Sequence, residues 1–176
     1  MLVRSLHLWM VVLVLALATS AAASSTTATT YRVDHVSDGD TIVLRNGQKV
    51  RLVQIDTPEV QVYFGTECYG QQAWATTKRL VPVGTHVRLV VEPATDRVDD
   101  DGRLLRYVVR ASDSVNVNVR LVAVGAAAPY FYEGRRGRYA NHLEALAKRA
   151  KARSLGLWGA CPRTVYDPYR GIETRR

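Results

Sequence analysis

Cysteine and histidine are scarce in this chain, with two of the first and four of the second. His35, His86 and His142 are scattered, and neither Cys68 nor Cys161 has a second ligand nearby in sequence. A zinc centre of the Cys/His type is thereby excluded. Long apolar runs are missing as well. The longest, Leu8 to Ala18, is about 11 residues, well short of the roughly 20 that cross a bilayer as a helix. Acids are outnumbered, 16 against 24 Lys and Arg, for a net charge of +8. Such a balance speaks to partners rather than fold and suits a polyanion: nucleic acid, a cell-wall polymer or anionic lipid. No internal repeat occurs. What remains is a 176-residue chain, 47% hydrophobic and 23% charged, enough for one globular domain with a core of its own.

Arg4 precedes the apolar run, small residues ending in Ala21-Ala22-Ala23 follow it, and no cysteine comes after to carry a lipid. This is the pattern of a signal peptide cleaved near Ala23, predicting a secreted protein without stable membrane association. Cleavage removes one arginine and no acid, leaving +7. Residues 24–30 are a Ser/Thr/Ala tether with nothing to bury, expected to be disordered. The domain then spans 31–161, and 162–176 read as a polar tail. Both cysteines fall in the exported part, so a Cys68–Cys161 disulfide is expected. Closing a loop of roughly 94 residues is worth on the order of 4 to 5 kcal/mol in the chain-entropy account.

Tyr31 to Ser37 alternates like a strand. Thr41 to Leu44 and Lys49 to Gln54 flank Asn46-Gly47, a type I′ hairpin signal. Pro58 stops the third strand, and Val60 to Cys68 read as an irregular, mobile loop. Gly70 to Val81 is helical, with Ala73, Thr77, Leu80 and Val81 on one face and Pro82 and Gly84 beyond it. His86 to Glu92 and Leu104 to Val109 complete five strands around an acidic turn-rich loop. Val115 to Val124 carries both periods; Asn118, Leu121, Val122 and Gly125 favour a short helix over the strand that propensity alone would choose. A last helix runs from Tyr139 through Leu143, Leu146, Ala147 and Ala150 to a stop at Gly156.

The chemistry gathers at Asp40 and along Arg51 to Glu59. Asp40, Asp56 and Glu59 are carboxylates close to strand ends, and hard oxygen ligands suit calcium or magnesium. Taken singly, Asp38-Gly39-Asp40 is a turn and Thr57-Pro58-Glu59 a strand stop; the hairpin between them lays the two side by side. Phosphodiester hydrolysis needs an activated water, neutralised phosphoryl oxygens and help for the leaving oxygen. A general base supplies about 10²- to 10⁴-fold, so most of the acceleration must be electrostatic, from a cation and the arginines Arg51 and Arg103.

Ser37-Asp38-Gly39-Asp40-Thr41, Arg51 through Asp56-Thr57-Pro58-Glu59, Asp101-Gly102-Arg103 through Tyr107, and Val117-Asn118 with Leu121 through Gly125 occur in an order that closely resembles the staphylococcal nuclease (thermonuclease) family. The resemblance covers about Tyr31 to Trp158. It implies an α+β, mainly β OB-fold: a five-stranded Greek-key barrel with three helices. It also implies a calcium-dependent enzyme cleaving DNA and RNA to 3′-phosphorylated products with little sequence specificity, preferring single strands and acting as a monomer. Carried over by position, Asp40 and Asp56 bind Ca2+ through carboxylates and Thr57 through its carbonyl. Glu59 positions or deprotonates the attacking water, and Arg51 and Arg103 grip the phosphate.

Two features modify this expectation. The family's aromatic residue before the Gly-Arg pair is replaced by Asp101, after an insertion around Val98-Asp99-Asp100, which predicts a weaker grip on nucleotides. Pro129-Tyr130-Phe131-Tyr132 matches the family's aromatic segment, making Tyr130 a base platform, with Tyr132 and Arg97 as further substrate contacts; the alternative is that these tyrosines pack on the last helix. Gly134 to Arg138 either gathers polynucleotide or is an exposed turn. Two other functions fit the charge, a catalytically silent OB-fold binding module and a secreted polyanion-binding domain. The first usually loses the acids, and the second does not account for the paired arginines.

Overall fold

The computed structural model describes residues 29–60 and 65–174. The cleavage site, most of the tether, and the middle of the loop expected over Val60 to Cys68 lie outside the described residues.

Strands β1 (Tyr31–Asp38), β2 (Thr41–Leu44), β3 (Lys49–Leu52), β5 (His86–Val91) and β6 (Leu104–Arg110) close into a barrel in the order β1-β2-β3-β6-β5. Two short strands, β4 (Ile55–Asp56) and β7 (Ala128–Pro129), form a separate pair. All ladders in the barrel are antiparallel except β3–β6, which is parallel, with Arg51 opposite Leu105. The expected α+β architecture of a five-stranded barrel with helices is present.

The strands depart from simple alternation where the barrel bends. Val33 and Val36 are the buried residues of β1, not Val33 and His35, because the register with β2 shifts between Val33 and His35 and again between Val36 and Asp38. Such irregularities add one residue to a strand and increase its twist, as barrel closure demands. The turn after β2 is not type I′. Gly47 donates its amide to Leu44 O at 2.9 Å and is itself left-handed, φ 82°, while Leu44 donates its own amide to Gln48 O at 2.9 Å. Of Asn46 and Gly47, only Gly47 has positive φ, so the loop is the three-residue kind with a glycine bulge.

β3 stops at Leu52, two residues earlier than its apolar sequence predicts. Gln54 adopts φ 66°, which breaks the ladder and redirects the chain so that Ile55 and Asp56 pair with Pro129 and Ala128. A non-glycine in this region costs on the order of 1–3 kcal/mol unless its surroundings hold it. The side chain supplies that hold: Gln54 Nε2 donates to Arg135 O and Oε1 accepts from Gly137 N, each at 2.7 Å.

Helix α1 (Gly70–Leu80) covers one end of the barrel through Ala73 and Thr77. The ambiguous segment is indeed a helix, α2 (Val117–Ala123), started by the Asn116 side chain, which accepts from Val119 N. Asn118 is fully buried on it, accepting from Val108 N at 3.0 Å and donating to Val53 O at 2.8 Å. Helix α3 (Ala140–Ala152) packs Leu143, Ala147 and Ala150 inward and places Arg149 and Lys151 in its last turn, where the helix dipole favours cations. A fourth helix, α4 (Leu157–Ala160), beyond the three expected, buries Leu157. The core joins Ile42, Leu44, Val50, Leu52, Val87 and Val108 of the barrel to Leu121 and Leu143. Among the described residues no helix is long and apolar enough to cross a membrane.

Cys68 and Cys161 are bonded. The segment beyond Cys161 is not the polar tail its composition predicts: β8 (Val165–Asp167) and β9 (Gly171–Glu173) form an antiparallel hairpin. It is held to the body by Phe131 N donating to Pro168 O at 2.6 Å and Thr174 Oγ1 donating to Cys68 O at 2.8 Å.

Candidate active site

Side chains two apart on a strand share a face. Arg51 and Val53 therefore point the same way from β3 and its continuation, as do Arg103 and Leu105 at the start of β6. The parallel register puts Arg51 beside Leu105. All four line one open cavity of about 480 Å³, together with Tyr130 and Tyr132. The two arginines thus come from segments far apart in sequence to one wall.

Asp40 sits in the turn between β1 and β2, 2% exposed, with its carbonyl fixed by Leu52 N at 2.8 Å. Its Oδ2 accepts from both Thr57 N and Thr57 Oγ1 at 3.0 Å and is ion-paired with Arg51 Nη1. Arg51 Nη2 reaches Asp56 Oδ1 at 3.0 Å. One guanidinium therefore bridges the two carboxylates expected to bind metal, and Thr57 joins the cluster from the turn after β4. Glu59 lies against the same group: its side chain is hydrogen-bonded to Asp38 and feels the charges of Asp40 and Arg51.

The site carries more negative charge than its guanidinium neutralises. Burial, aided by Asp56 and Asp38 and opposed by Arg51, pushes the Asp40 carboxyl up to about 6. Burial, the hydrogen bond with Asp38 and that residue's charge push Glu59 up to about 8. Desolvation works against the charge on Arg51, but Asp40, Asp56 and Glu59 outweigh it and hold the guanidinium protonated. Among the described residues no three His, Cys, Asp or Glu side chains converge as a ready metal cage; the donors at hand are two carboxylates and neighbouring backbone.

Arg103 is held by the acidic loop that precedes it. Asp99 accepts from Arg103 Nε at 2.7 Å and from Arg103 N at 2.9 Å, and Asp101, on the solvent side and 73% exposed, pairs with Nη2 at 2.9 Å. Burial opposes the Asp99 charge, but the amide and guanidinium of Arg103 overcome it and keep the carboxyl below its usual range. The loop therefore acts on a site arginine directly, in addition to placing negative charge near the cavity.

Of the aromatic candidates, Tyr130 and Tyr132 line the cavity, their rings edge to face at 6.3 Å. Burial and the nearby Asp56 push the Tyr130 hydroxyl upward. Arg97 is exposed and borders Arg106; its carbonyl accepts from Leu105 N at 3.0 Å, and Leu105 lines the cavity. Arg135 occupies the cavity rim, paired with Asp96 at 2.7 Å and Glu133 at 2.6 Å. The basic turn is otherwise internally engaged: Arg136 pairs with Glu144 and Arg138 with Glu92. Sequence reasoning missed Asp38 and Gln54 as parts of the site, although Asp38 stood in the quoted Asp-Gly-Asp motif. It also missed Glu67, whose Oε2 accepts from Glu59 N at 3.0 Å; no local pattern points to that contact.

Two arginines line one cavity of a closed OB-type barrel, and one of them, Arg51, is ion-paired to Asp40 and Asp56 beside it. Residues 49–160 match the model of a family described as staphylococcal nuclease homologue. Over 143 residues the chain is 32% identical to the thermonuclease of Staphylococcus hyicus, covering 79% of this chain and 81% of that protein. The protein belongs to the staphylococcal nuclease family and is a nuclease.

Proposed function

We propose that the protein is a secreted, calcium-dependent nuclease that cleaves DNA and RNA with little sequence specificity and leaves 3′-phosphates. The observation that carries this reading is Arg51, held between Asp40 and Asp56 on the same cavity wall as Arg103 and Tyr130. Water attacks the phosphorus in line and the P–O5′ bond breaks, so the phosphate stays on the 3′ side. In its ionised form, which the positive charge of a bound cation would favour over the value of about 8 set by burial and Asp38, Glu59 takes the proton from the attacking water, and by way of solvent a proton reaches the departing 5′ oxygen. Arg51 and Arg103 offer bidentate guanidinium donors to the phosphoryl oxygens as charge builds on them. Tyr130 and Tyr132 supply faces on which bases stack without regard to sequence.

The site's unbalanced acids support a cation. Asp40 and Asp56 would hold calcium through carboxylates and Thr57 through its carbonyl, all hard oxygens; calcium takes about 6–8 such ligands, which leaves places for water and the substrate phosphate. When bound, the ion would add its positive charge to that of the arginines. Secretion rests on Arg4, the apolar run and the small residues that end at Ala23, and the mature protein would act as a monomer without membrane attachment. End-group analysis tests the chemistry: a 5′-labelled single-stranded oligonucleotide digested in calcium should give fragments ending in 3′-phosphate, and chelator should stop the reaction. Fragments with 3′-hydroxyls, or undiminished cleavage in chelator, would refute the reading.

A further inference from the structure

The family match ends at residue 160, yet the chain continues into the β8–β9 hairpin, and that hairpin touches the site at two points. Ile172 N donates to Asp56 Oδ2 at 3.0 Å. Thr174, 4% exposed, donates its hydroxyl proton to Cys68 O at 2.8 Å, next in the chain to Glu67, whose Oε2 stands 3.5 Å from the same Oγ1. Glu67 in turn clasps Glu59: its Oε2 accepts from Glu59 N and its own amide donates to Glu59 O, both at 3.0 Å. The Cys68–Cys161 bond ties this strip to the start of the same C-terminal segment.

We infer that the C-terminal hairpin is a working part of the active site, in which Ile172 positions the Asp56 carboxylate and Thr174, through Glu67, positions the backbone of Glu59. Asp56 has two oxygens. Arg51 holds Oδ1 and Ile172 holds Oδ2, so rotation of the carboxylate plane is fixed while each oxygen keeps a free lone pair for a further partner. With Ile172 withdrawn, Arg51 alone would hold the group and let it turn. The approach is close: at Gly171, whose φ is +88°, a Cβ would stand 2.6 Å from Asp56 Oδ2. The hairpin thus demands glycine at the position that faces Asp56. Residues behind metal ligands set their orientation and typically govern affinity by about 10- to 100-fold.

This inference rests on the roles proposed for Asp56 and Glu59, and the test separates the two. Calcium affinity of the full mature chain is measured by isothermal titration without nucleic acid, alongside kcat, KM and melting temperature, for Gly171→Ala, Thr174→Val, Asp56→Asn and the control Val165→Thr, whose side chain is 58% exposed on the hairpin. Gly171→Ala should weaken calcium binding about 10-fold or more and lower kcat. Thr174→Val should lower kcat severalfold with KM little changed, and Val165→Thr should match the parent. If folded Gly171→Ala and Thr174→Val both keep the parent's calcium affinity and kcat while Asp56→Asn loses them, the hairpin has no positioning role and the inference is overturned. If Asp56→Asn also binds calcium normally, the metal reading itself falls and takes the inference with it. Should Gly171→Ala fail to fold, Thr174→Val decides alone: an unchanged kcat overturns its half of the inference.

Discussion

Arg103 shows how one residue's neighbours decide what it can do. Asp99 holds its Nε and backbone, which aims the guanidinium, whereas exposed Asp101 pairs with Nη2 and so occupies a donor that a phosphate would use. A substrate must displace that carboxylate. Replacing it should therefore help binding: Asp101→Tyr is expected to lower KM for single-stranded DNA severalfold with kcat little altered, and an unchanged or higher KM in steady-state assays would contradict this. Glu92 illustrates the opposite case, an acid that works for stability. It is 3% exposed and accepts from Arg138 N at 2.8 Å and Ala94 N at 3.1 Å. Burial opposes its charge, but these amides and the Arg138 guanidinium overcome burial and hold the carboxyl below its ordinary 4.5. A folded-state value below the unfolded one gives stability that is complete above about pH 4.5 and is lost as pH falls through the folded value. Glu92→Gln should cost about 1–3 kcal/mol at neutral pH and flatten the acid limb of stability in urea titrations; an unaltered acid limb would count against it.

At the scale of elements, the turn around Val53 and Gln54 is what separates a plain barrel from one with a site. It ends β3, starts β4 and thereby swings Asp56, Thr57 and Glu59 across to Asp40. Helix α2 stabilises it through Asn118, which bonds Val53 O and Val108 N. Asn118→Ala leaves both backbone groups buried without partners, at about 1–3 kcal/mol each. The variant should be less stable by a few kcal/mol in denaturant melts, and a loss under 1 kcal/mol would show that the helix does not hold the turn. This element also marks the limit of what the sequence conveys. The barrel strands were legible because Val, Ile and Leu alternate with polar residues, and α2 was legible from Asn118, Leu121 and Val122. The end of β3 was not, because Val-Gln-Ile continues the strand pattern, and the bonds that keep Gln54 left-handed come from Arg135 and Gly137, more than eighty residues away. The hairpin escaped for a related reason: strands of three residues are too short to show a period.

Across the whole molecule, the site is a product of closure. Arg51 and Arg103 are brought to one cavity by the parallel β3–β6 pairing, and the C-terminal hairpin that reaches Asp56 is tied to the body by the Cys68–Cys161 bond together with its hydrogen bonds to Phe131 and Cys68. With a sequence separation of 93, that bond contributes on the order of 4 kcal/mol by restricting the unfolded chain, and it anchors the segment that closes over the acids. That Asp40, Arg51, Asp56, Thr57, Glu59 and Arg103 come near one another was legible in the sequence because their motifs lie at strand ends that such a barrel brings together. Together these acids and arginines would act as one cation-dependent hydrolytic unit. The most direct test is the rate of single-stranded DNA cleavage by the mature protein across a calcium series, measured in parallel for Glu59→Gln. A rate that rises with calcium to saturation, and falls about 10²-fold or more in the variant at saturating calcium, is predicted; equal rates for both proteins, with or without calcium, would contradict it.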